Sequence, residues 1–295
     1  MGVIWGIPYL LIKVAIRDLE PGVLVFARTL PATLLLLPIA LRHGRWGPLV
    51  ARWEWVLAYT VVEVALPWLL LGTAEEHVSS AFAGLLVAAV PLIGAVLVVI
   101  FGGDERLSTR RIVGLLVGFA GVAALLGLDV SSDDLASAAA ILVVALCYAT
   151  GPIIVTRRLA DLPSLDVVTA SLALTAIAYA PYALTHRPES VSGKVIASVI
   201  ILAVVCTAAA FLLFFELIAE VGPTRATVIT YINPAVAVLL GVLLLDEPFT
   251  LGIAIGLPVV LLGSFLATVP SRAPAPVEPA LDLVGTETAL PVAEP

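Results

Sequence analysis

The sequence predicts an all-α integral membrane protein of ten transmembrane helices, arranged as two inverted five-helix repeats. Three observations predict it. The 295 residues are 61% hydrophobic and 13% charged, with a mean hydropathy of +1.13, whereas a water-soluble globule carries about 25% charged residues. Ten apolar runs recur along the chain, most of them near the roughly 20 residues that cross a bilayer core. The chain also repeats itself: Trp5 aligns with Tyr148, Asp18-Leu19 with Asp161-Leu162 and Pro91 with Pro234, all 143 residues apart. Beyond Pro91 the separation becomes 142, pairing Asp104-Glu105 with Asp246-Glu247, Gly114 with Gly256 and Gly121 with Gly263. A one-residue indel therefore relates the halves, and weak internal symmetry in an apolar chain is a signature of secondary transporters.

Taken in order, the expected helices span 2–17, 22–41, 55–73, 79–101, 111–128, 135–156, 166–185, 195–219, 224–245 and 250–269. The first is short. It has no basic residue ahead of it and no Ala-x-Ala cleavage site behind it, so it reads as a retained helix rather than a signal peptide. A few further residues are expected ahead of Met1. The connections are short and leave no room for an inserted soluble domain. Residues 1–128 form the first expected repeat and 134–269 the second. Residues 270–295 hold six prolines, four acids and one base, Arg272. That composition cannot bury enough surface to fold and reads as a disordered cytoplasmic tail.

Basic residues set orientation. One alternating set of loops carries Arg42, Arg45, Arg52, Arg106, Arg110, Arg111, Arg157, Arg158, Arg225 and Arg272; the other carries only Arg17, Arg187 and Lys194. The bias puts both termini in the cytoplasm and the acidic clusters Glu75-Glu76 and Asp133-Asp134 outside. Five helices per half is an odd number, so the second copy runs upside down relative to the first, about a pseudo-two-fold axis in the membrane plane.

Several function classes are excluded. The 15 basic residues form no run suited to nucleic acid. Cys147 and Cys206 sit in apolar runs and read as buried free thiols. No His-Glu-x-x-His, Gly-x-Ser-x-Gly or phosphate-cradling motif is present, so no catalytic residue, metal or cofactor is expected.

The motifs resemble the EamA family of the drug/metabolite transporter superfamily. The resemblance spans residues 2–269. It rests on Trp5-Gly6, Lys13, Arg28, Pro91 and Glu105-x-Leu107-Ser108 in the first half, and on Gly222-x-x-Arg225, Pro234 and Glu247-x-x-Thr250 in the second. It implies a ten-helix bundle with a central cavity and export of small polar metabolites or drugs. The halves diverge where Trp5 becomes Tyr148, Lys13 becomes Thr156 and Arg28 becomes Ser171. Any basic contact to a substrate therefore comes from the first half.

Glu63 is the strongest local signal. It lies mid-helix, eight residues from Trp55 and ten from Thr73. A charge at that depth costs about 2.5–3.5 kcal/mol on insertion scales and faces a partner or a cavity. A carboxyl that takes and releases a proton at midplane is what proton-coupled export requires; a structural ion pair or packed Glu is the plainer alternative. Arg28 lies about 9 Å deep at 1.5 Å per residue, and either pairs with Glu63 or holds a substrate carboxylate in bidentate fashion. Lys13, near a helix end, either faces the pathway or snorkels to the interface.

Asn233 is the chain's single Asn and precedes Pro234. A proline inside a helix frees a carbonyl one turn earlier, so Tyr231, Asn233 and that carbonyl are expected to form a polar patch, unless Pro234 is simply a packing kink. Pro91 matches Pro234 in the first half, and Pro8 and Pro152 interrupt the first and sixth helices. Trp5, Tyr9, Trp68, Tyr148 and Phe211 either line an aromatic cavity or pack. Trp46, Trp53 and Trp55 read as interfacial anchors, and Glu216 as an interface carboxylate. Ser108 and Thr250 read as helix N-caps. Gly114-x-x-x-Gly118 and Gly252-x-x-x-Gly256 mark close helix packing, within the bundle or in a homodimer.

The sequence thus predicts an alternating-access exporter in a bacterial inner membrane, driven by protons or another gradient. Its expected partners are small-molecule solutes, amino acids among them, and the lipid bilayer. A flippase of a lipid-linked substrate and a non-transport structural membrane protein are the alternatives.

Overall fold

The computed structural model describes residues 1–43, 46–100, 108–129, 134–221 and 229–268. Among these residues every regular element is helical. Two apolar helices, α1 (Gly2–Ala15) and α9 (Ile229–Leu245), fall short of full membrane-crossing length. Eight more are long and apolar enough to cross: α2 (Pro21–Arg42), α3 (Trp53–Glu75), α4 (Ser80–Ile100), α5 (Thr109–Asp129), α6 (Leu135–Leu159), α7 (Ser164–Thr185), α8 (Gly193–Val221) and α10 (Leu251–Thr268). A six-residue helix, Trp46–Ala51, lies between α2 and α3. Asp104, Glu105, Asp133, Gly222, Arg225 and the expected tail at 270–295 lie outside the described residues.

These sequences form helices in spite of their polar residues because many of their hydroxyls are satisfied close by. Thr29, Thr33, Thr60, Ser171 and Thr175 each donate to the carbonyl four residues earlier, which lets a helix carry them through lipid. Four of the described helix starts are capped by a hydroxyl. The Ser108 hydroxyl accepts from Arg111 N at 3.3 Å and Thr250 from Ile253 N at 3.1 Å, as expected. Ser79 and Ser192 do the same for α4 and α8.

The halves are pinned together by glycine. Helix α5 packs along α10. A Cβ on Gly263 would run into the Gly118 backbone nitrogen, and one on Gly114 into that of Ala267. A Cβ on Gly121 would sit 2.8 Å from Val260 N, and one on Gly256 3.3 Å from Leu125 Cβ. Axes this close require the missing side chains. The contact expected from the small-residue spacing is therefore made within one chain. Gly252 plays a different part: its N–H donates to Asp129 Oδ1 at 3.2 Å, and Thr250 Oγ1 bonds the same carboxylate, so the end of α5 holds the start of α10.

Elsewhere α2 packs on α7, α1 on α9 and α3 on α6. The largest apolar cluster runs through Tyr9, Ile12, Leu85, Leu86, Leu125 and Ile141. Helix α4 breaks at Ala88-Ala89, just before Pro91, and the buried Ser264 hydroxyl of α10 donates to Ala88 O at 3.4 Å. Among the described residues, π-helical turns interrupt α3 at Thr60–Ala65 and α8 at Val204–Ala209, and another closes α6 at Val155–Leu159.

One expectation is corrected. Glu75 was placed in an outer loop beside Glu76, yet it closes α3 and is fully buried, while Glu76 is exposed. The last turn of α3 packs inward, because Leu71 and Ala74 belong to the main core and Glu75 follows them in.

Gly263→Val is expected to lower the melting temperature of the purified protein steeply, by a destabilisation on the order of 1–3 kcal/mol or more, whereas Gly127→Ala, with nothing within 4 Å, leaves it unchanged. A second expectation concerns pH. Asp18 Oδ2 accepts from Ser192 N at 2.7 Å, and this bond holds the Asp18 carboxyl below its usual value. A depressed carboxyl stabilises above its unfolded pKa and loses that contribution as pH falls through its folded one. Asp18→Asn should therefore be slightly less stable than wild type at neutral pH, with the gap closing below about pH 4 in thermal melts.

Candidate functional site

Glu63 sits in the π-helical turn of α3, ten residues before Thr73 and eight after Trp55. A wide turn of this kind re-aims side chains and is frequent at functional sites. Here it presses the carboxylate onto α6 at Gly151: a Cβ there would collide with Glu63 Oε2. That oxygen is shut away from solvent and has no hydrogen-bond partner. Tyr59, Cys147 and Tyr148 lie within electrostatic reach of Glu63.

Arg28 approaches the same region from α2. It is 7% exposed, with its guanidinium carbon 3.7 Å above the centre of the Trp68 ring. Its Nε donates to Thr207 Oγ1 at 2.9 Å. Thr207 occupies the π-helical turn of α8 and its own hydroxyl proton goes to Leu202 O, five residues back, at 2.8 Å. With its proton spent, the oxygen is free to accept from arginine. Of the two roles open to Arg28 in the sequence, the ion pair with Glu63 is not formed. Tyr148 lies within electrostatic reach of both Glu63 and Arg28.

The aromatic residues fall into one connected wall. Trp68, Tyr148 and Phe211 share an apolar cluster. Trp5 meets Phe211 at 6.1 Å and Phe214 at 4.7 Å between centroids. Tyr9, buried in the main core, feels Arg28 and Tyr148 on one side and Glu75 on the other. The structure thus brings Glu63, Arg28, Trp5, Tyr9, Trp68, Tyr148 and Phe211 into one neighbourhood.

The remaining expected residues lie apart from it. Lys13 donates its ammonium to Glu75 O and, at 2.9 Å, to Val78 O, in a recess that it lines with Glu75, Glu76 and His77. It caps the end of α3, where free carbonyls welcome a cation. Tyr231 turns to α10, bonding Thr268 Oγ1 and stacking edge-on against Phe265. Asn233 turns the other way; with its amide assigned in the orientation that satisfies both contacts, its nitrogen donates to Gly2 O at 2.8 Å and Ile229 O at 2.9 Å. The polar patch expected from Tyr231, Asn233 and a freed carbonyl is therefore split between two helix contacts. Pro234 is buried against the bundle, and Pro91 marks the break in α4. Glu216 is exposed, as expected of an interface carboxylate.

Three participants escaped sequence reasoning. Thr207 and Gly151 look like ordinary membrane-helix residues; only the fold brings one to Arg28 and the other to Glu63. Glu75 is the third: both its carboxylate oxygens are buried without a partner. At the same end of the bundle Glu247 reaches across to α4, accepting from Ser80 N at 2.7 Å, Ala81 N at 2.9 Å and Ser80 Oγ at 3.0 Å. At the far end of α3, Arg52 bonds Asp161 and Arg158 O, and Arg158 stacks over Trp55 at 4.5 Å. These ties close the bundle at both ends of α3.

Thr207→Val keeps the side-chain shape and removes the acceptor for Arg28 Nε. It should cost about 1–3 kcal/mol in the chemical or thermal unfolding of the purified protein, and Thr207→Ser should restore most of it.

Comparison with known proteins follows the same line. The EamA-like transporter family matches residues 1–127 and again 135–269. An uncharacterized transporter of Archaeoglobus fulgidus is 26% identical over 89% of this chain and 94% of its own length. The uncharacterized inner membrane transporter YedA of Escherichia coli is 31% identical over 81% of this chain and 78% of its own length. The uncharacterized transporter YvbV of Bacillus subtilis is 22% identical over 92% and 90%. A solved crystal structure aligns with a TM-score of 0.64 at 19% identity, covering 90% of this chain and 94% of that one, which speaks for the fold alone.

Proposed function

The chain belongs to the EamA-like transporter family, a multi-pass membrane transporter on that ground, and we propose that it exports small polar metabolites, amino acids or drugs by gradient-driven alternating access. The observation that carries this reading is Glu63: a carboxylate at mid-span, with one oxygen buried and unpartnered, set in a wide helical turn against a glycine. A group so placed exchanges a proton only when the surrounding helices move, which is the coupling an alternating-access cycle requires.

The halves, residues 1–128 and 134–269, act in this reading as inverted repeats that rock about the site. Exchange of contacts supports the symmetry. Shifting Gly114 and Ala267 by 142 in opposite directions gives Gly256 and Leu125, which also meet; the same operation turns Gly118 with Gly263 into Val260 with Gly121, which meet too. A contact set that maps onto itself on swapping partners is what a two-fold axis produces. The distribution of arginines favours cytoplasmic termini, and the inner membrane of a bacterium is the proposed location, in keeping with the relative from Escherichia coli.

The test is flux in proteoliposomes, with a pooled library of amino acids and metabolites and an imposed proton gradient. Wild type is expected to move at least one solute saturably. Glu63→Gln is expected to insert and melt as wild type does while losing gradient-driven flux at least tenfold. Unaltered flux and unaltered dependence on pH in that variant would remove Glu63 from the mechanism.

A further inference from the structure

Among the described residues Arg28 is a charge without a counter-charge. Its Nε is taken by Thr207 and one face of its plane by Trp68. Among the described residues its two terminal nitrogens meet no acceptor, yet they are absent from the shut-in polar atoms, so they keep some accessible surface. The ionisable groups within electrostatic reach of it are Cys206, Tyr148 and Tyr9; no described carboxylate is among them, and Glu63 forms no pair with it. The Ser171 hydroxyl, at the equivalent place in the other half, is spent on Val167 O. Burying an unpaired guanidinium in a low-dielectric interior is costly unless something outside the protein pairs with it.

We propose that the paired terminal nitrogens of Arg28 are the receptor for the carboxylate of a small organic substrate. This rests on the transporter reading above and narrows it to anionic or zwitterionic solutes. The clamp is built in advance. Thr207 fixes the roll of the guanidinium and Trp68 fixes its tilt, leaving the two-pronged edge that matches a planar carboxylate. Phe211 follows Thr207 by one turn of α8 and meets Trp5, so the apolar body of the substrate lies along that aromatic face. A lysine in place of Arg28 would keep the charge but lose both the stack and the fork.

The experiment uses the purified full chain in lipid nanodiscs, with benzoate, benzamide and benzylamine at millimolar concentration as probes of one shape and three charges. Benzoate should raise the melting temperature measurably, and the other two should not. Arg28→Lys and Arg28→Gln should both abolish the benzoate shift. Where those variants fold poorly, the comparison of the three probes on wild type still decides. Stabilisation by benzylamine or benzamide equal to that by benzoate, no benzoate effect, or a benzoate shift that survives Arg28→Gln would each overturn the proposal. Flux assays separate the two readings. If only neutral or cationic solutes are transported, the carboxylate receptor fails while the transporter stands. If benzoate binds through Arg28 but no solute crosses, the receptor stands and transport fails.

Discussion

Hydrocarbon contains no water, so every polar group that enters it has to be answered by the protein itself. Nearly every feature of this structure follows from that constraint. Hydroxyls bond back to their own helices, Lys13 bonds the terminal carbonyls of α3, Asn233 bonds the start of α1, and Ser264 bonds the carbonyl at the break in α4. The glycine seam between α5 and α10 is the same rule applied to packing. Lipid is as apolar as leucine, so helices associate through close contact instead of hydrophobic expulsion. Against that settlement, the unpartnered carboxylate oxygens of Glu63 and Glu75 and the open edge of Arg28 are among the places where the chain leaves polarity for something else to use.

The site draws its charge from one half only. Arg28 has Ser171 as its counterpart, and Glu63 has Cys206, at the offset of 143 that relates the repeats. Thr207 likewise answers to Val64. The π-helical turns of α3 and α8 nonetheless fall in matching places. The backbone device is kept in both copies while the chemistry has separated: a carboxylate in one turn, a hydroxyl serving an arginine in the other. Duplication supplied the frame, and asymmetric substitution gave the interior a direction.

Much of this was legible in the sequence. The ten apolar runs, the doubling, the glycine spacing and the capping residues Ser108 and Thr250 depend on local pattern, which a sequence displays. Glu63 and Arg28 were legible because charge is rare and expensive in such runs. What was hidden depends on neighbours distant in the chain. Thr207 lies 179 residues from Arg28, and Gly151 matters only because α6 meets α3. Lys13 was left between two roles because helix position alone cannot tell a snorkelling lysine from one that caps a neighbour. Glu75 was misread because its charge outweighed, on paper, the apolar residues that draw its turn inward.

The wide turn at Thr60–Ala65 has one more consequence. A π-turn amounts to one surplus residue in an α-helix, and a residue is worth about 100° of rotation. Tyr59, packed toward Leu159 and Leu162, and Trp68, under Arg28, stand on either side of it. Deleting a single residue there would straighten α3 and twist its two halves out of phase, so that no rotation of the whole helix could seat both rings at once. The extra residue is in effect a gear tooth: it lets one rod mesh with two differently timed neighbours.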